Sequence, residues 1–254
     1  MANVIVVANQ KGGVAKTTTA LAIAPILESL GFRTLFIDLD AQCNSTDVYN
    51  AQTDGVNTIY DVIINRSASA EESIQKTNYG EIIAGDRLLL TAEVDLLKDA
   101  ITGITRLKTA LEPIQSMYDY IVIDTNPIVN RLLFNALLAA NTVIIPTSAD
   151  RFGLVGMSQI LETIHTIASG PNPDLQVGGI LLTRYKGSMR LERQVREELT
   201  EQAEEAGISL FDTTIRESVK IRESQAMCTP PNIYAPSCTS VKDYAALVQE
   251  IIGE

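Results

Sequence analysis

Lys11-Gly12-Gly13-Val14-Ala15-Lys16-Thr17-Thr18 decides the reading of this chain. It follows Val4–Ala8, an apolar and mostly β-branched run that predicts a buried strand. It precedes Thr17–Leu30, which reads as a helix closed by Gly31, with Pro25 expected to bend it. A glycine turn between strand and helix lets successive N–H groups converge on an anion, and the helix N-terminus adds its dipole. The usual phosphate loop is G-x-x-x-x-G-K-[ST]. Here Gln10 and Ala15 stand at both outer glycine positions, and the pattern satisfied is K-G-G-x-x-K-[ST], with an extra lysine at Lys11. In that chemistry Lys16 reaches the β- and γ-phosphates of ATP, Thr17 ligates Mg²⁺ and Thr18 is placed for the α-phosphate. If position 15 needs a positive φ, Ala15 brings a strain that glycine would avoid.

Outward from the loop, Thr34–Asp38 and Tyr120–Asp124 read as strands that each end in aspartate, and Thr142–Pro146 and Gly178–Leu182 as further buried strands. Helical patterns lie at Ile104–Met117, Asn130–Ala140, Met157–Ala168 and Leu191–Ala206. Apolar strands alternating with amphipathic helices predict an α/β fold: a doubly wound, mostly parallel sheet with helices on both faces, of the P-loop NTPase type. The aspartates at 38 and 124 then fall at the carboxyl edge, where such sheets bind ligands. Asn50–Asp54 and Asn65–Asn78 read as insertions. With no repeat or linker, residues 1–254 are expected to form a single domain.

Composition narrows the function classes. A net charge of −11 argues against wholesale attachment to DNA or anionic membranes, though a local basic patch is compatible with it. No stretch reads as a membrane span or a signal peptide. Three cysteines without CxxC spacing (Cys43, Cys228, Cys238) suggest free thiols in a reducing cytoplasm. The lone His165 sits in a helical pattern and reads as structural.

With Lys11 and Lys16 in place, the chain resembles the ParA/MinD family of deviant Walker ATPases, and the ParA branch most closely. Asp38-Leu39-Asp40-Ala41-Gln42-Cys43-Asn44 is similar to the family's D-L-D-P-Q-G-N, and Tyr118–Pro127 to its Y-D-x-I-x-I-D-x-P-P region. Leu182–Tyr185 and Tyr244–Leu247 also fit. Ala41, Cys43 and Asn126 depart from the family's residues there.

The resemblance implies roles. Asp40 would orient the attacking water, with Asp38 and Asn44 in the same switch, and Asp124 would hold Mg²⁺ through a water. Lys11 would cross a two-fold axis to a partner's nucleotide, so that ATP joins a homodimer and hydrolysis releases it. Lys11, Lys16 and Asp40 form the catalytic set. Gly12, Gly13, Val14, Ala15, Thr17 and Thr18 cradle the nucleotide.

Partition ATPases of this kind bind non-specific DNA and answer to a ParB-like partner. The matching region offers Lys186, Arg190, Arg193, Arg216, Lys220 and Arg222, and Ser188 falls where an arginine is common. Interleaved glutamates leave open a solvated mixed-charge surface. The resemblance therefore implies a cytoplasmic, nucleoid-associated, slow and partner-stimulated ATPase that partitions or positions DNA cargo. The alternative is a nucleotide-dependent scaffold for other cargo. The acidic C-terminal segment disfavours membrane cycling of the MinD kind, and the cysteine positions do not fit a shared iron–sulfur cluster.

Overall fold

The computed structural model describes residues 1–65, 68–99, 102–187 and 190–253, with the side chains of 151, 152, 154, 155 and 191 outside the description. The strands are β1 (Asn3–Val7), β2 (Thr34–Leu39), β3 (Ile74–Thr77), β4 (Gly80–Ile83), β5 (Tyr120–Thr125), β6 (Thr142–Ser148) and β7 (Gln176–Thr183). The helices are α1 (Lys16–Ser29), α2 (Asn44–Tyr49), α3 (Leu89–Lys98), α4 (Arg106–Leu111) and α5 (Arg131–Ala139), then α6 (Arg151–Ala168), α7 (Arg190–Glu205), α8 (Val219–Ala226), α9 (Pro231–Tyr234) and α10 (Thr239–Ile252).

The strands form one seven-stranded sheet in the order β3-β4-β2-β5-β1-β6-β7. Every neighbouring pair is parallel except β3 with β4. Strand alternation sends Val4, Val6, Leu35, Ile37, Ile121 and Ile123 to one face, beneath α4, α5 and α6. It sends Ile5, Val7, Phe36 and Val122 to the other, beneath α1 and α10. Both faces are covered, as the apolar strands require. β1 lies inside the sheet between β5 and β6, and the chain leaves it toward β2 on one side and returns to β6 on the other. Its carboxyl end is therefore the topological switch point.

Several boundaries differ from expectation. The segment Asn65–Asn78 carries β3, which turns at Gly80 (φ 115°) into β4, so it supplies a sheet edge instead of a bare insertion. The helix expected over Ile104–Met117 is confined to α4 and a short turn at Gln115–Met117, with Pro113, which has no N–H to give, between them. α6 begins at Arg151, six residues before the apolar pattern, because the Asp150 carboxylate accepts the Gly153 N–H at 2.8 Å. α1 continues through Pro25 and closes with Gly31 at φ 93°.

Candidate functional site

The site is built from the carboxyl ends of β1, β2 and β5. Leaving β1, Asn9 donates to the Pro146 carbonyl at 2.7 Å and accepts the Lys11 N–H at 3.0 Å, so the loop is pinned to β6 before it turns. Gly13 (φ 77°) and Ala15 (φ 66°) then take left-handed backbone. A side chain at Gly12 or Gly13 would meet no atom within 4 Å, so both glycines face open space. Ala15 holds the N-cap position of α1 and makes no side-chain cap, leaving the first-turn N–H groups facing the turn. The condition posed for position 15 is met, since Ala15 takes a positive φ. Val14 is 1 % exposed and offers the cradle only its backbone.

Beside the loop lies a cleft of about 400 Å³. Gly12, Gly13, Ala15, Lys16, Thr17 and Thr18 form one wall, with Asp40 and Asn44 opposite. Lys16 is buried, and its ammonium lies 3.1 Å from the Lys11 carbonyl. Burial lowers its pKa, and the charges of Asp124 and Asp40 oppose that.

Asp38 and Asp124 are register partners on β2 and β5, and both are buried. Burial raises Asp38 to about 6, against hydrogen bonds from the Thr46 hydroxyl, the Thr46 amide and the Asp40 amide. Burial and the neighbouring Asp38 charge push Asp124 higher, against the Ser45 hydrogen bond and the nearby Thr17 hydroxyl. Two adjacent carboxylates in a dry site cannot both ionise cheaply without a cation. One oxygen of Asp124, Oδ1, is buried and has no partner among the described residues. An orphaned carboxylate oxygen beside the Thr17 hydroxyl, at the foot of a lysine-bearing glycine loop, suits a hard divalent cation with its water shell. The residues present therefore fit Mg²⁺ with a polyphosphate.

Sequence reasoning missed the groups that hold these carboxylates. Ser45 donates to Asp124 at 2.8 Å, and Thr46 contributes both its amide and its hydroxyl to Asp38. It also missed Arg184 and Cys228 (both at positive φ) and Gln225, which line the far end of the cleft. Cys43 (φ 55°) N-caps α2, and burial pushes its thiol up to about 12. It is inert packing in a turn where the resemblance has glycine.

Lys11 points away from this wall. Its ammonium contacts the Asp150 carboxylate at 2.7 Å and the Ser148 hydroxyl at 2.8 Å. Burial opposes ionisation of Asp150, but hydrogen bonds from Lys11, Ser148 and the Gly153 amide hold its carboxyl below the usual range.

The expected basic patch is dispersed. Lys186 pairs with Glu217 at 3.0 Å and Lys220 with Glu223 at 2.6 Å, while Arg216 forks onto Asp243. Arg193 donates to the Gly187 carbonyl at 3.1 Å, and Arg190 and Arg222 are exposed. Arg216 and Arg222 share a small cavity of about 140 Å³ with Ala15 and Thr18, on the phosphate-loop side of the fold. Ser188 lies outside the described residues.

Comparison with known proteins agrees with this fold. Residues 2–177 match the family model described as an AAA domain. The chain is 34 % identical to the chromosome partitioning protein ParA of Myxococcus xanthus, covering 98 % of this chain and 87 % of that one. It is 32 % identical to the sporulation initiation inhibitor protein Soj of Bacillus subtilis, covering 99 % and 98 %. Among solved structures, a plasmid partition protein from Borrelia burgdorferi bound to AMPPNP superposes with a TM-score of 0.82 at 26 % identity, covering 99 % and 98 %. The cobyrinic acid a,c-diamide synthase of Mycobacterium smegmatis, with bound ADP and magnesium, gives 0.81 at 28 % identity, covering 98 % and 95 %. With the K-G-G-x-x-K-[ST] loop, the paired strand-end aspartates and these full-length relatives, the chain belongs to the ParA/MinD family of P-loop ATPases.

Proposed function

We propose that this chain is a ParA-type partition ATPase, a single domain over residues 1–254 that hydrolyses ATP slowly and is stimulated by a ParB-like partner on the cargo. Bound Mg²⁺ supplies charge neutralisation and Lewis acidity at the phosphates. The chain's own residues do the rest. Gly12, Gly13 and Ala15 aim backbone N–H groups into the cleft, and Lys16 places a buried positive charge beside them. Thr17 and Asp124 would hold the metal and its water, and the unpartnered Asp124 Oδ1 is the observation that supports this. Asp40 orients the attacking water, with Asn44 next to it. Asp38 braces the switch through Thr46 and the Asp40 amide.

Lys11 is the observation that carries the reading. A phosphate loop needs one lysine on the nucleotide, and Lys16 fills that place. The second is instead paired with Asp150 and Ser148, with 24 % of its side chain exposed, and would exchange that pair for a second subunit's nucleotide. ATP would then join two copies face to face, and the joined state would bind non-specific DNA. In the cell this is a cytoplasmic protein, on the nucleoid when loaded with ATP.

The test is sedimentation with ATP and with ADP, then ATP turnover with and without duplex DNA and the product of the neighbouring gene. An ATP-specific dimer stimulated by both supports partition, whereas an equal mass with either nucleotide overturns it.

A second reading, a nucleotide switch that positions cargo other than DNA, is favoured by one observation. Lys186, Arg216 and Lys220 are paired with acidic neighbours in their own chain. Turnover indifferent to DNA, with the dimer intact, would select it. Membrane cycling is disfavoured because Val241, Tyr244, Leu247 and Val248 of α10 are buried in the core with α1. No helix among the described residues is long and apolar enough to cross a membrane.

A further inference from the structure

α8 stands between the cleft and the basic surface. It carries Lys220 and Arg222 on its exposed side, and Ser224 is its buried residue. Ser224 spends its hydroxyl on the Ile221 carbonyl of the same helix. Such a short helix has little propensity-driven stability and depends on tertiary ties. Ile221 packs partly against the core beneath α1, and Tyr234 of α9 donates to Glu223 at 3.2 Å. A further tie is polar and reaches the phosphate loop: the Gln225 side-chain amide donates to the Thr18 hydroxyl at 2.8 Å across 207 residues of sequence.

That bond has a direction. A threonine hydroxyl has one proton to give and can accept as well. Thr18 accepts from Gln225, so its own proton must point elsewhere. Among the described residues no hydrogen-bond acceptor for that proton is present. Thr18 lines the cleft, which leaves the cleft as the outlet. A hydroxyl that already accepts a hydrogen bond is also the better donor.

We propose that Gln225 is a positioning residue: it aims the Thr18 proton at a nucleotide phosphate oxygen, and through the same bond ties the order of α8 to occupancy of the cleft. The inference rests on the nucleotide-site reading and does not require DNA. When phosphate takes the Thr18 proton, the Gln225–Thr18 bond strengthens and α8 is held more firmly. The surface bearing Lys220 and Arg222 is thereby held more firmly when the cleft is filled.

The experiment uses the full chain with MgADP, reading affinity by titration and amide hydrogen exchange over residues 219–226. Thermal melting checks that Gln225→Ala and Gln225→Glu remain folded, which an exposed position allows. Removing a neutral hydrogen bond of this kind should weaken MgADP by about 2- to 10-fold in Gln225→Ala. Gln225→Glu should cost more, because a carboxylate would accept the Thr18 proton and draw it away from phosphate. Thr18→Ala should cost at least as much as Gln225→Ala, and the double variant should be no worse than Thr18→Ala alone. Saturating MgADP should slow exchange across α8 in the wild type and leave it unchanged in Gln225→Ala. Additive losses, an unaltered Gln225→Ala affinity, or nucleotide protection of α8 that survives the substitution would each overturn the proposal. A wild-type chain that binds no nucleotide removes the site itself, and normal MgADP coupling without DNA retardation removes only the DNA reading.

Discussion

The Lys11 ammonium sits 2.7 Å from the Asp150 carboxylate, while the Lys11 carbonyl accepts from Lys16. One residue thus divides its labour: its backbone belongs to the phosphate cradle and its side chain to α6. Lys11→Ala keeps the carbonyl and leaves Asp150 with the Ser148 and Gly153 hydrogen bonds. We expect ADP affinity within about twofold of wild type, since a half-exposed ion pair contributes at most about 1 kcal/mol. The ATP dimer should be lost, as read by sedimentation. Loss of ADP binding by the monomer would place Lys11 in its own subunit's site and end the cross-subunit account.

Ala15 holds a left-handed backbone that glycine adopts without strain. A non-glycine residue in left-handed backbone costs about 1–2 kcal/mol, partly offset by the greater unfolded-state freedom of glycine. Ala15→Gly should therefore raise the melting temperature of the nucleotide-free protein by about 1–4 °C for a domain of this size. An unchanged or lowered value would show that the loop compensates for the φ of 66° in some other way.

Asp40 is oriented by its own loop, its carboxylate accepting the Gln42 amide at 3.0 Å. Asp40→Ala removes the group proposed to orient water and leaves Lys16, Thr17 and Asp124 in place. Turnover should fall by about 10²-fold or more with nucleotide affinity retained, so the ATP dimer persists. Single-turnover kinetics on the purified variant would check this, and near-normal hydrolysis would exclude the assignment.

The sheet was legible because its strands are continuous apolar runs, and the phosphate cradle because its chemistry lies within eight consecutive residues. β3 and β4 were not legible. Gln75, Lys76 and Thr77 lie on a half-exposed edge and show no apolar run. The supports of the carboxylates were hidden for a different reason. Ser45 and Thr46 become partners of Asp124 and Asp38 only when α2 folds back over β2 and β5, which no local spacing encodes. Arg184, Gln225 and Cys228 reach the cleft from the far end of the chain. Arg184 and Cys228 use positive φ values that the sequence does not announce for arginine or cysteine.

The buried Asp38–Asp124 pair makes stability depend on pH in a defined direction. Both folded-state pKa values are raised above the ordinary 3.8, to about 6 and about 8. Between about pH 4 and about pH 8 the folded chain therefore holds protons that the unfolded chain has released, so stability falls as pH rises. The urea midpoint of the nucleotide-free protein should decline across that window. General repulsion from the net charge of −11 has the same sign, so the decisive comparison is Asp124→Asn, whose profile should be flatter. Saturating MgADP should flatten the wild-type profile too, because a cation favours the charged carboxylates. Parallel profiles for wild type and Asp124→Asn would assign the decline to net charge alone.

The basic surface can be tested by removing acid instead of base. Lys220 is held by Glu223 at 2.6 Å, and Glu223 also accepts from Tyr234. Glu223→Gln keeps an acceptor for the tyrosine and releases one positive charge. If Lys220 faces DNA phosphate, the ATP-bound protein should bind random duplex about 2- to 5-fold more tightly at low salt. Its log affinity should fall more steeply with log salt, by about one extra released counterion. Lys220→Ala should do the reverse, uniformly across sequences. These two opposite shifts separate a phosphate contact from a solvated ion pair, since breaking a purely solvated pair changes neither affinity nor salt slope. A Glu223→Gln protein that dimerises with ATP and still ignores DNA would move the cargo away from nucleic acid and toward the scaffold reading.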